Sequence, residues 1–532
     1  MGPWNLADLF EAVADEIGGR EAVVAPGRRW TFSELDERAN RLAHVMVYRG
    51  VRPGDRVALS MRNGPEYLEA MLAALKLRAI PVNVNVRYTV EELQYLLADA
   101  GPRLVLHEPD LTARVTAAAA GLPHRPRLLA RGRAYEALLA GAPADRPVIA
   151  GRSGDDLYVL YTGGTTGQPK GVVWRHEDIF FSALATADAD GQRPGSPEAV
   201  VAAARAGRTR CLPASPFTHG TAHWTALATL FNGGTVVVAE DGAGLAPQAL
   251  WSTVEAERVS MLVIVGDAFA RPLADALDLD PDRWDLSHLL LLCSGGAVLS
   301  PAVRQALLAH LGWAVVVDGY GTSETGGQGR MAIWPGQIDS GMPHFTVDEG
   351  TAVLDDQLRL VQPGSRVVGR LARRGHIPIG YHNDPERTAS TFPTVDGVRW
   401  AVTGDRATVD PDGRIKLLGR GSSSINTGGE KVFPEEVEAT LKAHPTVFDA
   451  VVVGVPDERW GERVTAVVQP RNGSTVTLED LSEHCRQTLA GYKTPRQLVV
   501  VDLVVRHPTG KADHRWARRV ALDPPRRAGH GR

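Results

Sequence analysis

The stretch Tyr161-Thr162-Gly163-Gly164-Thr165-Thr166-Gly167-Gln168-Pro169-Lys170-Gly171 decides how this chain is read. It follows the apolar run Leu157-Tyr158-Val159-Leu160, which has the length and composition of a buried strand. A loop of glycines and threonines behind a strand offers backbone N–H groups and hydroxyls to an anion, and Lys170 adds one cation. It is not the nucleotide loop that ends in Gly-Lys-Ser/Thr, because Pro169 stands before Lys170. The bland alternative is an ordinary glycine-rich surface turn, and the rest of the chain decides between the two.

At 532 residues the chain is too long for one core and predicts two or more domains. With 44% hydrophobic and 23% charged residues it has the composition of a globular enzyme. A formal charge of −4 gives no electrostatic case for nucleic acid or an anionic membrane. Cys211, Cys293 and Cys485 are widely spaced and form no C-x-x-C pair, which argues for a reducing compartment and against structural zinc. No apolar segment approaches the length of a membrane span, so the expectation is a cytoplasmic protein.

Upstream of the loop, the first hundred residues alternate helical and strand patterns. Ser33 to Arg49 predicts an amphipathic helix, Val57 to Leu59 a strand, and Pro65 the start of a second helix. Ile80 to Val82 and Leu104 to Leu106 are strands, with a capping box at Thr89 and Glu92 between them. This βαβαβ order implies a covered, mostly parallel sheet. Downstream, Thr235 to Ala239, Met261 to Val265, Leu289 to Leu292 and Ala314 to Val317 repeat the pattern. Residues 188–208, rich in Gly, Pro, Ala and Arg, read as an exposed insertion. Asp410-Pro411-Asp412-Gly413 marks a hairpin. Past Gly419-Arg420-Gly421-Ser422-Ser423-Ser424 come a helix at Pro434, strands at Ala450 to Val453 and Val464 to Val468, a helix from Leu478 and a strand at Leu498 to Val501. The fold class is therefore α/β, a large multi-sheet N-terminal domain with a small α+β C-terminal domain. The boundaries expected are 1–420, a hinge at 421–424, 425–525, and a frayed tail at 526–532.

Behind the opening loop lie G-Y-G-T-S-E-T (319–325), T-G-D (403–405), G-R (419–420), I-N-T-G-G-E-K-V-F-P-E-E-V-E (425–438) and P-T-G-K (508–511). With these in this order, from about residue 5 to 520, the chain resembles the adenylate-forming superfamily of acyl-CoA synthetases, aryl-CoA ligases, peptide-synthetase adenylation domains and luciferases. Val173-Trp174-Arg175-His176-Glu177-Asp178 and I-N-T-G-G-E-K resemble actinobacterial fatty-acyl-CoA synthetases most.

The resemblance implies that the loop holds the β- and γ-phosphates of ATP, which leave as pyrophosphate. A carboxylate is a poor electrophile because it would have to expel oxide; joining it to the α-phosphate makes an acyl-adenylate, whose leaving group is AMP. Such transfer needs positioning and charge neutralisation more than covalent help. Thr162, Gly163, Gly164, Thr165, Thr166, Gly167 and Lys170 form the phosphate loop; Gly163 stands where most relatives have serine, with one hydroxyl fewer. The resemblance makes Glu324 the Mg²⁺ ligand, with Gly321, Thr322 and Ser323 beside the α-phosphate. It puts Tyr320 on the adenine, the Gly295-Gly296-Ala297 backbone along its edge, and Asp405 and Arg420 at the ribose. Lys511 becomes the catalytic lysine bridging the acyl carboxylate and the α-phosphate, a task suited to a compact ammonium. Singly, Glu324 or Asp405 would read as a turn residue, Tyr320 as packing and Lys511 as a surface charge.

His219 and His223 are four residues apart but lack an H-E-x-x-H pattern or a third ligand nearby, so metal is disfavoured. His219 matches the position beside the acyl group in relatives. His223 and Trp224 read equally well as packing. No Asp or Glu lies between Cys211 and Phe231, which disfavours an α-amino acid, whose buried ammonium would lack a partner. Phe217, His219, Trp224 and Gly326 are candidate pocket residues and suit a hydrophobic acyl, aryl or polycyclic acid. Asn426, Gly428 and Gly429 suit a pantetheine channel.

The leading expectation is an ATP-dependent acid–CoA ligase using ATP, Mg²⁺ and CoA, acting on a small-molecule carboxylic acid, with a homodimer left open. A rival keeps the adenylation but passes the acyl group to an amine, a carrier-protein thiol or nitrite, as in ATP-dependent diazotisation. Ser422 keeps this rival open, since Asp or Lys is usual at the hinge. A non-enzymatic nucleotide sensor predicts missing catalytic groups, yet Glu324, Asp405, Arg420 and Lys511 are all present.

Overall fold

The structure, a computed structural model, describes residues 2–162, 168–186, 192–239, 245–337, 343–427, 430–507 and 510–524, with Arg420 and Ser422 described by backbone alone. Among these, a seven-stranded sheet carries the first half of the chain. Its order runs Gly380–Tyr381, Lys170–Arg175, Leu157–Thr162, Ile80–Asn83, Arg56–Ser60, Leu104–His107, Arg127–Ala130. The expected βαβαβ unit is there, with 56–60 parallel to both 80–83 and 104–107. Its helices form where the sequence places their starts. Pro65 occupies the first turn of Pro65–Lys76, where its missing N–H is no loss. Thr89 and Glu92 cap Val90–Ala100 reciprocally, at 3.3 and 2.8 Å.

A second, larger sheet is parallel through Thr235–Val237, Arg210–Pro213, Met261–Ile264, Leu291–Gly295 and Val315–Thr322. It turns antiparallel at Gly326–Ile333 and continues through His344–Val347, Ile415–Arg420, Val398–Val409, Gly369–Arg374 and Thr351–Leu354. The Asp410–Gly413 hairpin joins two of these strands, and Gly413 supplies the left-handed φ of +84° that the turn needs. The carboxyl ends of the parallel strands open on one side, where ligands bind in open α/β sheets.

The C-terminal part has its own five-stranded sheet. Val447–Asp457 and Gly461–Pro470 are antiparallel, and Gln497–Val500 joins in parallel. One face is covered by Pro434–Lys442 and Leu478–Arg486 through Val437, Leu441, Leu481 and Cys485. The other is covered by His514–Leu522 through Ala517 and Ala521. Alternation along the two long strands supplies both faces, which is why the strands read as near-continuous valine runs.

One expectation fails. Residues 188–208 are not an exposed insertion throughout, because Pro197–Ala206 is a helix capped by Ser196, with Val200 and Ala204 buried. Arg20 fastens it by donating to Ala204 O and Arg205 O at 3.0 and 2.7 Å. Among the described residues no helix is long and apolar enough to cross a membrane.

Candidate active site

The two ends of the opening loop meet across an antiparallel pair, with Thr162 in register opposite Lys170. Gly163, Gly164, Thr165, Thr166 and Gly167 lie outside the described residues. Lys170 leaves the hairpin toward Glu324, Nζ to Oε1 2.8 Å, and both side chains are largely buried. Glu324 sits on the tight turn between 315–322 and 326–333. That turn is closed by Thr325 N to Thr322 O and by Thr322 N to Thr325 Oγ1, at 3.2 and 3.1 Å. Trp174 holds the same turn, donating to Ser323 O at 3.1 Å. A third group joins the pair: Tyr381 donates to Glu324 Oε1 and accepts from Lys170 Nζ, both at 2.8 Å.

On the nucleotide side, Gly295 pairs with Gly319, which brings the Gly295-Gly296-Ala297 backbone beside Tyr320 and Gly321 at the strands' carboxyl ends. A β-bulge falls between Tyr320 and Gly321, and Tyr320 packs on Phe345 with ring centroids 6.1 Å apart. Gly321 has no room for a side chain, since a Cβ would lie 2.2 Å from Gly326 O. Asp405 is buried and stands in register opposite Arg420. The side chain of Arg420 lies outside the described residues.

Asn83 ties the strand 157–162 to the turn before Gly220–Phe231. Its amide donates to Tyr161 O and Thr218 O, and its carbonyl accepts from Tyr161 N, all at 2.7 Å. His219 stands at the N-cap position of Gly220–Phe231, its side chain making no capping bond. Its Nε2 is buried with no hydrogen-bond partner among the described residues. Burial, reinforced by the positive charge of Lys511, lowers its pKa to about 4, so the ring is neutral at physiological pH. His223 is a packing residue. Its Nδ1 donates to Phe217 O at 2.6 Å, Tyr158 donates to its Nε2, and Trp224 Nε1 donates to Tyr158 at 2.9 Å. Phe217 is itself core, packed on Tyr67, so its peptide rather than its ring faces this network. Gly326, with φ +66°, packs against Ser182, where a Cβ would lie 2.7 Å from Ser182 O. Space near Gly295 and Gly296 is bounded instead by Thr221 and Val265.

The C-terminal loop closes on this cleft. Gly510, at φ +77°, is pressed against Val265 O and Ala268, which a Cβ would meet at 3.1 and 3.2 Å. Lys511 follows, near enough to bear on His219. Arg506 shapes the loop by donating to Gly510 O at 3.0 Å, while it grips Asp449 through two bonds of 2.7 Å. The two domains are fastened by a buried ion pair, Lys442 Nζ to Asp267 Oδ2 at 3.1 Å, with side chains 5% and 6% exposed. Arg271 adds a bond to Lys442 O at 3.2 Å. Gly421–Ser423 forms a single 3-10 turn, closed by Ser424 Oγ on Gly421 O at 2.8 Å. Asn426 is exposed on the next strand, while Gly428, Gly429 and the side chain of Ser422 lie outside the described residues.

Lys170 and Glu324 thus come together from segments far apart in sequence, with Tyr320 near the carboxyl end of 315–322 and Asp405 within 398–409. Tyr381 and Asn83 are missed by the sequence reading. The only signal for Tyr381 is the Gly-Tyr pair at 380–381 with Thr388 behind it, and Asn83 offers none. Glu324 is a hard oxygen donor beside a phosphate loop, which fits Mg²⁺ bound jointly by protein and nucleotide. Among the described residues no group of three or more His, Cys, Asp or Glu forms a metal cage, so nucleotide phosphates would complete such a site.

This is a large α/β domain with a smaller C-terminal domain, carrying a charged cluster of Lys170, Glu324 and Tyr381. The AMP-binding enzyme family model matches residues 10–380, and the AMP-binding enzyme C-terminal domain model matches residues 436–511. The chain belongs to the AMP-binding enzyme family. It is 43% identical to the medium/long-chain-fatty-acid–CoA/3-oxocholest-4-en-26-oate–CoA ligase of Mycolicibacterium smegmatis, over 98% of this chain and 97% of that protein. It is 42% identical to the 3-oxocholest-4-en-26-oate–CoA ligase of Rhodococcus rhodochrous, over 97% and 95%. Among solved structures it resembles ATP-bound MatB from Rhodopseudomonas palustris, with TM-score 0.81 and 28% identity over 97% and 99% of the two chains.

Proposed function

We propose that this protein is an ATP-dependent acid–CoA ligase that activates a bulky hydrophobic carboxylic acid, of the long-chain or steroid side-chain type. The observation that carries the reading is the Lys170–Glu324–Tyr381 cluster at the strand ends, with Gly510, one residue before Lys511, packed on Val265 of the large domain. On this reading Lys170 and Lys511, one from each domain, serve the triphosphate and the carboxylate.

In the first half-reaction a carboxylate oxygen attacks the α-phosphorus, the bond to the bridging oxygen of the β-phosphate breaks, and pyrophosphate leaves. Lys511 neutralises charge at the attacking oxygen and the α-phosphate, and Lys170 neutralises the leaving group. A neutral His219 beside the acid adds no second positive charge and presents an unfilled hydrogen-bonding atom. Mg²⁺, held through Glu324, would supply further charge neutralisation at the phosphates. In the second half-reaction the CoA sulfur attacks the acyl carbon, its proton passes to solvent or base, and AMP departs with the carboxylate oxygen. Lys511 must withdraw for this step, and residues 421–424 are where the small domain turns. Asn426, Gly428 and Gly429 are assigned to the thiol channel on the same reading.

The acids for which the two relatives are named support the acid class, as does the neutral lining of Thr221, Val265, Gly295 and Gly296. The test is incubation with ATP, Mg²⁺ and a panel of fatty, aryl and steroid acids, with and without CoA, read by product mass. Thioester from hydrophobic acids is expected. Acyl-adenylate that accumulates despite added CoA, and is consumed by an amine, a carrier thiol or nitrite, would overturn the acceptor assignment.

A further inference from the structure

The phosphate end of the site holds a side chain that the chemistry above does not use. Tyr381 is buried, and its hydroxyl is shared between the two charged groups of that end, as acceptor from Lys170 and donor to Glu324. Lys170 also lies over its ring, Nζ 4.4 Å from the centroid.

The position of this ring is fixed from several sides. Gly380–Tyr381 is a two-residue strand whose purpose in the sheet is alignment, with Tyr381 opposite Val172 and His382 N bonded to Gly171 O at 2.8 Å. The strand that places Tyr381 therefore runs along the strand that begins at Lys170. Thr388 locks the main chain by accepting from Tyr381 N at 2.9 Å, and it occupies the space a side chain at Gly380 would need. Phe392 packs on the ring, centroids 5.6 Å apart. So much fixation around one hydroxyl exceeds what packing alone demands, since phenylalanine would fill the same volume.

We propose that Tyr381 is a positioning residue that acts through Glu324 and Lys170. In the nucleotide-free site its hydroxyl keeps the ammonium and carboxylate paired and aimed into the cleft. When ATP enters, Lys170 exchanges its bond to Glu324 for the phosphates, and the carboxylate loses its counter-charge. The bond from Tyr381 to Oε1 then holds Glu324 in the orientation that receives the nucleotide's cation. The assignment rests on the adenylating reading of the site.

Tyr381→Phe tests it, because the ring, its packing and its cation–π contact stay. Calorimetric titration with ATP should give a wild-type affinity that rises with Mg²⁺; the variant should retain most of its Mg²⁺-free affinity but lose about 5- to 20-fold of the Mg²⁺-dependent gain, the scale of one charge-assisted bond. In pyrophosphate exchange the half-saturating Mg²⁺ should rise by a similar factor with KM for the acid unchanged. Combining Tyr381→Phe with Glu324→Gln should add little to Glu324→Gln alone, as expected of groups acting as a unit. Unchanged Mg²⁺ linkage, or fully additive effects in the double variant, would overturn the proposal. A purely structural role would lower the melting temperature and weaken ATP equally with and without Mg²⁺, which also overturns it. If wild type binds ATP with Mg²⁺ linkage yet activates no acid, the adenylating reading fails while the role of Tyr381 stays measurable in the calorimeter.

Discussion

Lys442→Met is the most informative single change outside the cleft. The side chain is about the same length, but its Nζ, 3.1 Å from Asp267, is removed from a pair that is almost wholly buried. Deleting one partner of such a pair leaves the other charge stranded, at a typical penalty of about 3–5 kcal/mol. Two features reduce it here. Asp267 keeps its bond from Ser300 N at 2.7 Å, and the domains can part and rehydrate the carboxylate. What remains, about 2 kcal/mol or roughly 30-fold, falls on the equilibrium between the arrangement seen here and any other. Since Lys442 belongs to the small domain and Asp267 to the large one, the shift disfavours the arrangement that places Lys511. Carboxylate-dependent pyrophosphate exchange should therefore fall by about 10- to 30-fold, while thioester formation from supplied acyl-adenylate holds or rises. Arg471→Ala, at the more exposed contact to Asp275, is the control and should change either rate by less than about threefold. Equal losses in both half-reactions, or unaltered exchange, would refute the latch.

Lys511→Ala should reduce exchange by at least about 100-fold, the scale of one preorganised charge, and spare thioester formation from the adenylate; equal loss in both would make the lysine structural. Ser422→Pro fixes φ inside the 3-10 turn and should keep exchange within about tenfold while slowing thioester formation much more; matched rates would remove the hinge. Acid should destabilise the fold through His219 and His223, whose folded pKa values are both lowered to about 4, chiefly by burial. Protons then bind the unfolded chain first, so this stability is complete above the unfolded value near 6.5 and is lost as pH falls toward 4, by about 2 kcal/mol per ring at pH 5. Denaturant titrations at pH 7 and pH 5 measure it, and His223→Gln should reduce the difference by about the share of one ring.

Local chemistry was legible where one short segment carries the whole signal. The Thr89 capping box, the Pro65 and Pro434 helix starts and the Asp410–Gly413 hairpin are of this kind. The candidate site residues are singled out only through motif order, because nothing local separates Glu324 or Lys511 from a surface charge. Pro197–Ala206 was misread because an alanine-rich helix with two buried residues has too faint an apolar stripe to register as helical. The Lys442–Asp267 pair and Tyr381 escaped for a different reason. Each depends on partners from distant segments, and no spacing rule links a lysine to an aspartate in another domain.

Asn83 has three bonds of 2.7 Å that exhaust both its N–H groups and engage its carbonyl, between the strand that feeds the phosphate loop and the turn that feeds His219. The strand before the glycine-rich loop and the turn before His219 are therefore gauged from one datum, and neither can slide without breaking the same amide. The large domain then behaves as an anvil. If the proposed function holds, reach, timing and choice of reaction fall to the small domain, and new acids can be accommodated by reshaping the walls around Thr221 and Val265 without moving the strand that leads into the loop.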